Sequence, residues 1–66
     1  MQITLNGEAF VLADAISVAA LIEHMQLTGK RIAVEVNEDI VPRGMHATHI
    51  LHAGDRVEIV HAIGGG

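Results

Sequence analysis

The sequence closes on "HAIGGG", residues 61–66, and its last residues, Gly64, Gly65 and Gly66, are the first place where this chain has a means of doing chemistry. Glycine loses more backbone freedom on ordering than any other residue and brings no side chain to bury, so such a run does nothing for the stability of a fold. What it offers is thinness and reach. Without Cβ atoms the segment can thread a channel too narrow for other residues, and beyond Ile63 it extends by ~3.3–3.6 Å per residue, carrying Gly66 roughly 10 Å from the folded part. The reacting group would be the Gly66 carboxylate, the least hindered that a chain can present, and at neutral pH it must be activated before it reacts. Taken alone, the same residues read more readily as a frayed end, a linker scar or a truncation.

The second group with chemical potential is the histidines. His46, His49 and His52 recur at every third position, with His24 and His61 elsewhere, and neutral imidazole is a common ligand for zinc, nickel and copper. No carboxylate or thiol stands at a metal-ligand spacing from them, and their segment reads as irregular. They are therefore expected to be solvent-exposed polar positions, and no metal is expected. The chain has no cysteine, which excludes disulfides, thiolate nucleophiles and cysteine-held metals together.

Positioning such a tail requires a fold, and the pattern supplies one. "QITL" alternates, placing Ile3 and Leu5 on one face of a first strand. Asn6-Gly7 follows, the strongest short hairpin signal, because both residues tolerate the positive φ of a type I′ turn. "EAFVL" is the returning strand. In "ISVAALIEHMQL", Val18, Leu21, Ile22 and Met25 share one helical face. Ser17 stands at the N-cap and Gly29 at the expected stop, giving a helix of about ten residues. "RIAVEVN" alternates again. "NED" reads as a turn and "IVP" as a short strand whose Pro42 puts it at an edge. Gly54-Asp55 turns into "RVEIVHAI", where Val57 and Ile59 point one way and Val60 and Ala62 the other. Apolar surface at Val60, Ala62 and Ile63 is then available to a partner. Arg43, Glu38 and Asp39 read as solvated.

The chain of 66 residues has room for one small core. Half of it is apolar but Phe10 is its one aromatic residue, so aliphatic side chains must fill that core. One helix with a single apolar face needs one sheet, which predicts an α+β architecture: a mixed sheet of four or five strands curled around the helix, its first and last strands parallel neighbours at the centre. A formal charge of −4 without a basic cluster larger than Lys30-Arg31 argues against nucleic acid and anionic membranes. Apolar runs too short for a bilayer and an amino terminus unlike a signal peptide point to the cytoplasm.

Hairpin, single helix, "VNEDIVPR", "HAGDRVEIVHAI" and the terminal Gly-Gly together resemble, over essentially the full chain, the ThiS family, the sulfur carriers of thiamine biosynthesis within the ubiquitin-like β-grasp proteins. The third glycine, Gly64, departs from the usual pair and should only loosen the tail. The resemblance implies a β-grasp domain over residues 1–63 and a flexible tail over 64–66. It implies that a ThiF-type enzyme uses ATP and Mg²⁺ to adenylate Gly66, that sulfur from a persulfide donor displaces AMP to leave a thiocarboxylate (1-thioglycine), and that thiazole synthase, ThiG, receives the sulfur. The chain is then a protein cosubstrate, not an enzyme, and a monomer when free. His61 would touch a partner without being a catalyst. With no cysteine, a sulfur cargo has only the terminus to ride on. Two other readings remain: the small subunit of molybdopterin synthase, whose chains run longer and richer in aromatics, and a ubiquitin-like interaction module that never forms a thiocarboxylate.

Overall fold

A computed structural model describes residues 1–61. The elements are β1 (Gln2–Leu5), β2 (Glu8–Val11), α1 (Val18–His24), β3 (Ile32–Val36), β4 (Asp39–Val41), a 3₁₀ turn (Arg43–Met45) and β5 (Arg56–His61). The strands form one five-stranded mixed sheet in the order β2-β1-β5-β3-β4. Pairing is antiparallel except between β1 and β5, which run parallel side by side. This is the expected α+β architecture, with the first and last strands adjacent and β5 in the middle.

The hairpin forms where the sequence places it. Asn6 and Gly7 both have positive φ, 50° and 85°, as a two-residue type I′ connection requires. Beyond its far end, Met1 and Leu12 exchange main-chain hydrogen bonds of 2.6 and 2.7 Å, which prolongs the pairing. A second such turn joins β3 to β4, at Asn37 and Glu38 with φ of 52° and 74°. It lacks glycine and is held by its surroundings. Asn37 Nδ2 donates to Asp55 Oδ1 at 3.0 Å, and the Arg56 N–H donates to Asn37 Oδ1 at 3.0 Å. Asp55 Oδ2 also accepts the His52 N–H at 2.8 Å. One carboxylate thus ties the β3–β4 turn to the turn that launches β5.

The helix is shorter than expected. Ser17 caps it, its Oγ accepting the Ala20 N–H at 3.1 Å, but it ends at His24, not near Gly29. The reason is a closing motif built without glycine. Gln26 takes the left-handed conformation, φ 61°. Its N–H donates to the Glu23 carbonyl and the Leu27 N–H to the Ile22 carbonyl, each at 3.0 Å, the paired bonds of a Schellman stop. Gly29, φ 81°, serves a later turn in the connection to β3.

The core lies between α1 and one face of the sheet. Ile3 and Leu5 of β1, Val34 and Val36 of β3, Val41 of β4 and Val57 and Ile59 of β5 meet Val18, Leu21 and Ile22 of the helix, all buried. Leu12 and Leu51 complete it, and Phe10 packs at its margin. Leu51 is fully buried although its segment looks irregular in the sequence. A bridge between Ser17 and Ile50 pins that segment to the start of the helix, where the Leu51 N–H donates to the Ile16 carbonyl at 2.8 Å.

Candidate functional site

The candidate site is the end of β5, where the chain runs on into residues 62–66. Strand β5 is paired on both sides. It meets β3 through Ile32↔His61, Ala33↔Val60 and Val34↔Ile59 on to Val36↔Val57, and β1 through Thr4↔Arg56 and Leu5↔Val57. Its inward residues Val57 and Ile59 are anchored in the core. Beyond the end of β1 the pairing is prolonged by a side chain: the Ile59 N–H donates to Asn6 Oδ1 at 2.8 Å, while the Asn6 N–H donates to the Val57 carbonyl at 2.9 Å. The hairpin turn therefore holds the last strand as well as its own.

Of the residues expected to meet a partner, Val60 is 54% exposed on the sheet face away from the helix. Ala62 and Ile63, and the tail residues Gly64, Gly65 and Gly66 with the carboxylate chemistry assigned to them, lie outside the described residues. Elsewhere on the same open face stand two more exposed apolar side chains, Ile40 on β4 and, toward the other end of the sheet, Val11 on β2. Between Val60 and Arg56 stands Glu58, directly opposite Glu35 of β3. Like charges in register cost a sheet stability.

The histidines are scattered. His46 is not a free surface position: half-buried, its Nε2 lies 3.0 Å from the Val41 carbonyl, and since a carbonyl only accepts, Nε2 carries the proton. His49 is also half-buried, and its carbonyl accepts the Val18 N–H at 2.9 Å, at the head of the helix. The rings of His24 and Phe10 meet edge to face with centroids 5.9 Å apart. His52 and His61 are exposed. No cluster of histidines and carboxylates able to hold a metal occurs among the described residues. Arg43, Glu38 and Asp39 are exposed, as expected, with Glu38 in a loose 3.8 Å pair with Arg56. Sequence reasoning missed a groove between α1 and the start of β3, lined by Lys30, Arg43 and His46 over Ile22, Leu27 and Ile32. No spacing rule brings those residues together.

A single helix under a mixed five-stranded sheet, with parallel first and last strands and the chain leaving the central strand toward a glycine run, defines a β-grasp protein of the ubiquitin-like kind. The chain belongs to the ThiS family, whose model matches residues 2–66. It is 35% identical to the sulfur carrier protein ThiS of Escherichia coli, with all of both chains covered. It is also 36% identical to a thiazole synthase of Paramagnetospirillum magneticum, but spans only 20% of that protein's length. The crystal structure of a thiamine biosynthesis protein (ThiS) from Geobacter metallireducens superimposes with a TM-score of 0.88 at 26% identity, covering both chains fully.

Proposed function

We propose that this chain is the sulfur carrier of thiamine biosynthesis, a protein cosubstrate whose Gly66 carboxylate is the group charged. The observation that carries this reading is the full-length match to a named sulfur carrier, joined to a fold that leads its central strand directly toward the glycine run. The chemistry follows from the terminus. A Gly66 carboxylate oxygen attacks the α-phosphorus of ATP on a ThiF-type adenylating enzyme that also binds Mg²⁺, and pyrophosphate leaves. A persulfide sulfur then attacks the acyl carbon of the adenylate, and AMP leaves. A thiol cleaves the remaining S–S bond, itself becoming part of a disulfide, and Gly66 is left as a thiocarboxylate.

Thiazole synthase is the sulfur acceptor in this proposal. Support comes from the thiazole synthases whose sequences include a stretch matching this whole chain. Val60, with Ala62 and Ile63 beyond it, forms the contact that both enzymes read, while Gly64 and Gly65 supply reach. The carrier works as a monomer when free, in the cytoplasm. Among the described residues no helix is long and apolar enough to cross a membrane.

Intact-mass spectrometry tests the proposal. After incubation with ATP, the adenylating enzyme and a persulfide donor, the chain gains the mass difference between one sulfur and one oxygen. A chain lacking Gly66 keeps its fold and gains nothing. An unchanged mass for the full chain, where a known carrier is charged in parallel, refutes the assignment.

A further inference from the structure

The chain has a net charge of −4 and only four Lys and Arg residues, and Lys30, Arg31 and Arg43 gather at one end of the sheet. In the β3–β5 register Ile32 faces His61, so Lys30 and Arg31, immediately before Ile32, stand beside the point where the chain leaves β5. On the other side of β3, Val41 pairs with Val34, which brings Pro42 and Arg43 back toward the same end. Lys30, Arg43 and His46 line a groove of about 310 Å³ floored by Ile22, Leu27 and Ile32. Glu23 lines it too, from the helix, yet the one ion pair among the described residues is Arg56–Glu38, elsewhere. Lys30, Arg31 and Arg43 are all exposed.

We propose that this cationic rim is the surface by which the adenylating enzyme recognises the chain at the mouth of its active site, and that the facing rim of that enzyme carries carboxylates. The inference rests on the function proposed above. Residues 62–66 span at most ~18 Å. When Gly66 reaches the α-phosphorus of ATP, the end of β5 lies against the mouth, and the side chains ringing that end meet the enzyme there. An acidic protein approaching an acidic rim is repelled except when its cationic end leads. The same charges therefore attract the partner and select the end that arrives first. The apolar floor accepts a side chain set among the partner's carboxylates, as in the desolvated centre of a protein interface.

The test is the kinetics of pyrophosphate release with the carrier as the varied substrate. Compared are the wild-type chain, Arg31→Glu, the double variant Lys30→Glu/Arg31→Glu, and Arg56→Glu. The last matches Arg31→Glu in charge change at the opposite end of β5. The double variant is expected to raise KM by about tenfold with kcat unchanged, because rim charges act on association. Its KM should also fall with added salt where the wild-type KM rises. Arg31→Glu should give a smaller rise, and Arg56→Glu less than that. An unchanged KM, a loss confined to kcat, or equal effects of Arg31→Glu and Arg56→Glu overturns the inference, the last by tracing the effect to net charge. Far-UV circular dichroism checks that each variant is folded. If wild-type chain gives neither pyrophosphate nor a mass gain, the proposed function falls and this inference with it; a charged wild type with indifferent variants refutes the inference alone.

Discussion

If Asn6 is replaced by alanine, two separate losses follow. Its Oδ1 accepts the Ile59 N–H at 2.8 Å, and Ile59 is 6% exposed, so water has little access to replace the bond. A buried donor left without a partner costs about 1–3 kcal/mol. Asn6 also sits at φ 50°, where alanine pays about 1–2 kcal/mol for its Cβ. The sum, about 2–5 kcal/mol, is a large share of what a domain of this size has, and lowers the melting temperature by roughly 10–40 °C. Asn6→Asp keeps an acceptor oxygen and tolerates the same backbone conformation, so it stays within about 1 kcal/mol of wild type. The chain has neither Trp nor Tyr, so urea titration followed by far-UV circular dichroism is the assay, with amide exchange at Ile59 as the local readout. An Asn6→Ala variant as stable as wild type, or an Asn6→Asp variant as damaged as Asn6→Ala, refutes the idea that this side chain prolongs the pairing of β1 with β5.

Leu51→Ala should cost about 2–5 kcal/mol, the range for a buried leucine, because Leu51 is fully buried beneath the helix start; a melting temperature near that of wild type would contradict this. Glu58→Gln removes the charge facing Glu35 and should stabilise the free chain by a few tenths to about 1 kcal/mol at low salt. That gain should fade in about 1 M salt, where screening reaches ~3 Å, and a gain insensitive to salt would show that repulsion was not its source. Gln26→Gly relieves a left-handed residue at the helix stop and should raise stability by about 0.5 kcal/mol in thermal melts, strain relief slightly outweighing the added freedom of the unfolded chain.

Features legible in the sequence were those written in local pattern. Asn6-Gly7 announced its turn, the spacing of Val18, Leu21 and Ile22 announced the buried helical face, and the alternation of Val57 and Ile59 with Val60 sorted the two faces of β5. The helix stop was misplaced because a glycine is the usual marker, and here Gln26 takes the left-handed position on the strength of the bonds around it. The burial of Leu51 comes from residues distant in sequence, and the half-buried place of His46 comes from a ring-to-carbonyl bond that no spacing pattern marks. Leu51 is held through Ile16, and His46 is held by the Val41 carbonyl. The same holds for Asp55, whose carboxylate bonds two separate loops. As for the candidate site, composition and order revealed the glycine run. The cationic rim emerged only from the register that sets Ile32 opposite His61.

The double pairing of β5 has a mechanical meaning. A partner that draws the terminus into a channel pulls along the axis of the central strand, and the ladders to β1 and β3 lie across that pull. The load falls on many hydrogen bonds at once, as shear, where an edge strand would peel away bond by bond. On the function proposed above, the carrier can thus be tugged by its terminus without unravelling from it.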